Sequence, residues 1–323
     1  TNTSSPQTIY ARVTNNQTGC YDITSFTLTV NPVPEITNPD DQQACEETPG
    51  TGIAQFDLTE SIPQITGGNT ALNVQFYKTQ SNVINNIPIP TPTNYTNTTP
   101  GGETVYFQTS DPSAPDCKAG GSLDLIVNEQ PLLNTTIPAY KQCDYNNPGD
   151  GFEVFDLTTM YSLITSTPGL TLTYEYQSAG TRTVITDPAN FTNTVAGQQT
   201  IYVSTINASG CRREVSFVVE VNPLPALNLN TDPFYACEEV QGEGRFELGK
   251  ITQWLTSESA NYTVTYYLTE PQAELGDTDN LPNPHISAPT TIYARLVNAA
   301  TGCVIIAPVQ LDVLPAPIAA TPA

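Results

Sequence analysis

The sequence predicts an all-β chain built of tandem immunoglobulin-like β-sandwich repeats arranged end to end. Three observations carry that expectation: a composition weighted towards strand and turn formers, cysteines that recur with a period of 92 to 98 residues, and short alternating apolar runs without a long amphipathic helix. Only 13% of the 323 residues are charged, yet Thr, Tyr, Asn and Pro abound, which favours pleated strands joined by tight turns over disorder. At roughly 100 to 150 residues per domain, the length allows about two to four domains.

The net charge of −22 would repel phosphate backbones and anionic headgroups, and the ten basic residues are scattered. Nucleic-acid binding and membrane-surface binding are excluded as leading readings. No segment approaches the roughly 18 to 20 apolar residues of a membrane span, so no direct membrane insertion is expected. The chain opens Thr1-Asn2-Thr3-Ser4 rather than with a signal peptide, and reads as part of something longer. With one His, one Met and one Trp, the usual catalytic groups are scarce, and no enzyme is expected.

Each repeat can be followed in chain order. Cys45, Cys143 and Cys237 open the repeats, and Phe56-Asp57-Leu58-Thr59, Phe155-Asp156-Leu157-Thr158 or Phe246-Glu247-Leu248-Gly249 follows. One or two helical turns come next, with Ile62 and Ile65, Tyr161 and Ile164, or Ile251 and Trp254 at helical spacing, and with Thr59 and Thr158 as expected caps. Mid-repeat strands carry Val74 and Phe76, Leu172, Tyr174 and Tyr176, or Val264, Tyr266 and Leu268. A closing hairpin has Tyr10, Tyr106, Tyr202 or Tyr293 on its first strand, then Cys20, Cys117, Cys211 or Cys303, then a period-two run such as Leu123, Leu125 and Val127. About six or seven short strands per repeat fit an immunoglobulin-like sandwich.

Alternating prolines, as in Val30-Asn31-Pro32-Val33-Pro34 and Val221-Asn222-Pro223-Leu224-Pro225, mark stiff connectors. The expected domains are 1–33, the end of a truncated repeat; 34–130, 131–224 and 225–317, three full repeats; and 318–323, the start of another. At ~3.3 Å per residue in strands near ten residues long, three repeats strung end to end would extend about 100 Å.

Two cysteine pairings fit the spacing, across the long gap or across the short one. A chain entering an immunoglobulin-like sandwich lies at the same end as the turn before the last strand, whereas short-gap partners would be separated by the length of that strand. A disulfide needs Cα atoms within ~7 Å. The expected set is therefore Cys45 with Cys117, Cys143 with Cys211, and Cys237 with Cys303, leaving Cys20 unpaired by truncation. Disulfides imply an oxidising compartment outside the cytosol.

The conjunction of an opening Cys-Asp/Glu, Phe-Asp-Leu-Thr, a late Thr-Ile-Tyr, Thr18-Gly19-Cys20 or Thr301-Gly302-Cys303, and a Val-Asn-Pro-x-Pro exit resembles the tandem Ig-like repeats of giant cell-surface adhesins of Bacteroidetes, typified by the SprB-type gliding adhesins exported by the type IX system. The first full repeat departs from it with Asp116-Cys117 and the third with Phe246-Glu247-Leu248-Gly249. The resemblance implies an extracellular, cell-surface stalk or filament segment in adhesion or gliding motility. Its partners would be neighbouring repeats of the same chain, and surface glycans or proteins. Two alternatives stand beside it: a glycan- or protein-binding module using residues 81–100 and 270–290, and a surface-layer structural protein.

The acidic loop after each opening cysteine is the best chemical candidate. It holds Glu46, Glu47 and Asp57 in the first full repeat, Asp144, Asp150 and Asp156 in the second, and Glu238, Glu239, Glu243 and Glu247 in the third. Calcium takes six to eight oxygen ligands, and Asp144, Asp150 and Asp156 form the strongest such set. The alternating Asp/Asn ladder of a calcium loop is lacking, so these carboxylates are expected to be solvated or capping, and neither metal nor cofactor is assigned. His285 is expected at the surface, the recurring tyrosines in a packing or hydroxyl-anchoring role, and sequons such as Asn97 and Asn207 are as frequent as chance allows in so Asn- and Thr-rich a chain.

Overall fold

The computed structural model describes residues 2–178, 180–228 and 232–317; the expected start of a further repeat at 318–323 lies outside them. The chain divides into two compact units, residues 1–132 with 205–213, and residues 133–204 with the chain from 214 onward.

The first unit begins with a hairpin, β1 (Gln7–Thr14) and β2 (Tyr21–Leu28), paired antiparallel with Ile9 opposite Phe26. Next come β3 (Gln42–Cys45), β4 (Gln55–Phe56), β5 (Asn73–Tyr77), β6 (Tyr95–Thr96), β7 (Gly102–Asp111) and β8 (Ala114–Asn128). The main sheet runs β3-β8-β7-β5, and β4 pairs with β6 in a small second sheet. Alternation along β7 and β8 sends Val105, Phe107, Leu123 and Leu125 inward, where Phe56, Leu58, Ile65 and Phe76 close the core.

The second unit holds two further sandwiches. One comprises β9 (Tyr140–Cys143), β10 (Val154–Phe155), β11 (Thr173–Ser178), β12 (Thr181–Val184), β13 (Phe191–Thr192), β14 (Gln198–Ile206) and β15 (Arg212–Asn222), in the sheet order β12-β11-β14-β15-β9 with β10 on β13. The other comprises β16 (Phe234–Val240), β17 (Glu243–Phe246), β18 (Tyr262–Tyr267), β19 (His285–Ser287), β20 (Thr290–Asn298) and β21 (Val304–Leu314), in the order β18-β20-β21-β16-β17-β19. Separate cores form around Phe155, Ile201 and Phe217, and around Phe246, Ile292 and Val309. These are tandem Ig-like β-sandwiches.

Local chemistry explains the corner after each Phe-Asp-Leu. Asp57 and Asp156 stand at the N-cap of a short 3₁₀ turn and accept from the backbone N–H of Thr59 and Thr158, so the carboxylates cap, and the threonines expected as caps donate instead. Leu58–Ser61 and Leu157–Met160 continue into Ile62–Ile65 and Tyr161–Ile164; the third repeat has one helix, Leu248–Leu255. Its Glu247 makes no side-chain cap, and Asn283 Oδ1 accepts from Leu248 N–H instead. Leu172 and Leu268, expected in strands, lie just outside β11 and β18.

The hairpin tyrosines face away from the core. Val105, Ile201 and Ile292, one residue earlier, are fully buried, so period-two alternation turns Tyr106, Tyr202 and Tyr293 to the other face, half-exposed. Tyr202 packs under the Arg182 guanidinium at 3.1 Å, and its hydroxyl donates to Gln177 Oε1 at 3.5 Å.

The register of the opening strands overturns the expected disulfides. β3 runs parallel to β8 with Cys45 opposite Asn128; β9 runs parallel to β15 with Cys143 opposite Asn222; β16 runs parallel to β21 with Cys237 opposite Leu314. Each opening cysteine therefore sits beside the end of the last strand, eleven residues beyond the hairpin cysteine of its own repeat, about 36 Å at ~3.3 Å per residue. Cys45 cannot reach Cys117, nor Cys143 reach Cys211, nor Cys237 reach Cys303. In the first two full repeats, the residues before the opening cysteine have already carried the chain to the end of the last strand. The bridges present are Cys45–Cys211 and Cys143–Cys303, with Cα separations of 5.6 and 5.7 Å, and Cys117 and Cys237 are free together with Cys20.

Candidate functional site

The opening strand of one repeat and the hairpin tip of the next build the site. In the first unit, β3 delivers Cys45 to the exit of β8, and the tip that joins β14 to β15 delivers Cys211 to the same place, with its sulfur 3.7 Å from the Asn128 carbonyl oxygen. Asn207 shapes that tip. Its Oδ1 accepts from the N–H groups of Ser209 and Cys211, and its Nδ2 donates to the Glu129 carbonyl at 2.7 Å. The sequon asparagine thus folds the hairpin and docks it on the connector.

Glu46, the residue after the opening cysteine, ties the other side together. It is 1% exposed; Oε2 accepts from Gly52 N–H and Oε1 from Gln130 N–H, both at 3.0 Å, and the Gln130 side chain donates back to the Glu46 carbonyl. Burial raises the Glu46 pKa, but backbone N–H groups of Gly52, Gly50, Gln130 and Thr51 outweigh it and hold the carboxyl below its ordinary range. Gly52, at φ +63°, allows the loop this close: a Cβ there would lie 2.6 Å from the Gly101 backbone nitrogen.

The arrangement recurs in the second unit. Cys303 Sγ lies 3.9 Å from the Asn222 carbonyl, Asn298 Oδ1 organises the tip by accepting from Ala300 and Thr301, and Tyr145 Oη accepts from Val304 N–H at 3.4 Å. Asp144 takes the place of Glu46 and is 2% exposed; its Oδ2 accepts from Gly149 and Gly151, but its buried Oδ1 has no partner. The backbone N–H matching that of Gln130 belongs to Leu224, and aspartate is one methylene short of glutamate. We expect Asp144→Glu to supply this missing contact and stabilise the second unit by about 1 kcal/mol, checked as a rise in its thermal midpoint. A third copy of the geometry places Cys117 Sγ 3.8 Å from the Asn31 carbonyl, with the thiol free.

The remaining candidates separate. Asp150 accepts from Phe152 N–H and Asn147, and Asp156 caps its 3₁₀ turn, so the calcium set Asp144, Asp150 and Asp156 is engaged in three local tasks. Among the described residues no three His, Cys, Asp or Glu side chains gather as a metal group. Glu238 accepts from Gly242 within its own turn, and Glu247 pairs with Arg245.

His285 is half-buried rather than fully exposed. It lies in β19 opposite Phe246, where the other repeats place Tyr95 opposite Phe56 and Phe191 opposite Phe155. Its Nε2 is buried without a partner, and burial lowers its pKa. The neutral ring is favoured in the fold, so stability is full above the unfolded pKa of about 6.5 and declines as pH falls below it. We expect the melting midpoint of the third repeat to drop between pH 7.5 and 5, and His285→Phe to flatten that dependence.

Sequence reasoning picks out Asn97 only as a sequon and misses Asn193. Both are 2% exposed. Asn97 accepts from Ala54 N–H and donates to the Gly52 and Thr99 carbonyls, while Asn193 accepts from Glu153 N–H and donates to the Gly151 and Val195 carbonyls. The recurring Tyr95-Thr96-Asn97 and Phe191-Thr192-Asn193 was the available signal.

A family model for the Flavobacterium inter-domain disulphide bond domain matches four times, at residues 1–34, 41–131, 139–225 and 233–317. No curated protein matches the chain. Among solved structures, the chain is similar to Drosophila N-cadherin EC1-4 (10% identity, TM-score 0.21, covering 95% of this chain and 83% of that one), to mouse cadherin-23 EC22-24 (12%, 0.22, 87% and 97%), and to the insect immune protein hemolin (10%, 0.27, 87% and 78%).

Proposed function

Because the chain belongs to the family of Flavobacterium inter-domain disulphide bond domains, we propose that it serves as a stalk segment of a large extracellular adhesin of the SprB type, in surface adhesion or gliding motility. The observation that carries this reading is the clasp: each sandwich is held to the next by a covalent bond as well as by the connector, as a segment under tension requires. Two disulfides support an oxidising location outside the cell. The acidic surface would keep neighbouring stalks soluble and apart.

The test uses intact cells of a strain carrying the full-length protein. Impermeant antibody to these repeats should label the cells, and protease shaving should remove the label together with attachment or gliding. Absence of surface label, or unchanged attachment after complete shaving, would overturn the reading.

A binding-module reading draws on one observation. Tyr106, Gln108, Gln80, Val83 and Ile84 line an open groove of about 470 Å³ on the first full repeat, beside Gly120 and Gly121. Glycan-array binding by the chain, lost on Tyr106→Ala, would favour it.

A further inference from the structure

We propose that the two bridges form crossed, mutually redundant load paths, so that the chain lengthens under tension only after all three full repeats have opened. The inference rests on connectivity and not on the stalk reading, which the cell experiment tests separately.

The four bridged cysteines occur in the order 45, 143, 211, 303, and the bonds join the first to the third and the second to the fourth. A pull between residues 45 and 303 finds three routes. One crosses the Cys45 bridge and follows the backbone from 211 to 303, a separation of 92 residues. A second follows the backbone from 45 to 143, a separation of 98, and crosses the bridge to Cys303. The third crosses the Cys45 bridge, runs back along the backbone from 211 to 143, a separation of 68, and crosses the other bridge to Cys303. The ends separate only until the shortest route is taut. If any one repeat opens alone, its route gains slack, but the other two still run through closed repeats and hold the length.

Residues 144–210 form the shortest route, loaded in the direction opposite to the chain. Opening the middle repeat alone therefore releases no length while its neighbours stay closed, and its 68-residue separation sets the final limit. At ~3.3 to 3.6 Å per residue, full extension between 45 and 303 is capped at ~235 Å with both bridges, against about 900 Å for the 258 residues without them. Pairing within repeats would lack this property, since each domain would then guard only its own loop.

The test tethers the full chain by its ends, with Cys20, Cys117 and Cys237 changed to Ser, and stretches it to its full contour. The bridge from Cys45 to Cys211 hides 166 residues and the one from Cys143 to Cys303 hides 160. Cys45→Ser with Cys211→Ser should lengthen the limit by the 30 residues between separations of 68 and 98, about 100 Å, and Cys143→Ser with Cys303→Ser by the 24 residues between 68 and 92, about 80 Å. Removing both pairs should release 190 residues, about 630 to 680 Å. Reducing a single bridged molecule under tension needs no bridge variant: the first cleavage should release only about 80 to 110 Å and the second the remaining 160 or 166 residues, more than ~500 Å. Several hundred ångströms from either single pair, or a first step on reduction larger than the second, would overturn the proposal.

Discussion

Reducing Cys45–Cys211 and Cys143–Cys303 should lower the free energy of unfolding by about 5 kcal/mol or more. The bridges close loops of 166 and 160 residues, and the chain-entropy relation gives about 5 kcal/mol for one such loop. Because the loops overlap, closing the second adds less than the first, so the two contributions fall short of their sum. The docked tip should loosen too, exposing Glu46 and the Asn207 contact with Glu129. Urea unfolding of oxidised and reduced protein, followed by far-ultraviolet circular dichroism, measures the effect. Coincident curves would mean the bridges constrain nothing, and digestion without reductant that linked Cys45 to Cys117 would restore pairing within repeats.

The second large effect is expected at Asn193. Alanine there removes three hydrogen bonds and leaves Glu153 N–H and the Val195 carbonyl without these partners in a site that admits almost no water, while the Gly151 carbonyl keeps Gly197 N–H. Orphaning buried backbone groups costs ~1 to 3 kcal/mol each before relaxation, so a loss of about 3 kcal/mol is expected for Asn193→Ala and a similar one for Asn97→Ala. A chemical-denaturation series reads both. The third repeat provides a contrast: Ser287 stands in the matching place with a buried, unpartnered hydroxyl, so Ser287→Ala should change stability little.

Much of the architecture was legible because it is periodic. Alternation at Leu123, Leu125 and Val127 or Phe217, Val219 and Val221 names a buried strand face without further information, and these side chains are indeed buried. The Phe-Asp-Leu corner was equally visible, although a carboxylate that accepts from the N–H two residues on is indistinguishable in sequence from a threonine cap one helical turn later. The pairing of cysteines was not legible. Spacing along the chain is the same whether Cys45 meets Cys117 or Cys211; what decides is that β3 runs parallel to β8 and ends opposite Asn128, a register no local pattern encodes. Glu46 and Asp144 stand out in the sequence as acids. Their burial does not, because the partners are backbone N–H groups contributed by a distant loop and connector.

Crossed pairing also sets a condition on biogenesis. A chain that emerges from its N-terminus presents the Cys45 thiol, then Cys117, then Cys143, before its true partner Cys211 arrives 166 residues later. Oxidation in order of appearance would join the wrong sulfurs, since shorter loops close at lower entropic cost. Correct bonding therefore requires each sandwich to fold first and keep its exposed sulfur waiting, or a thiol–disulfide exchange catalyst to undo premature links.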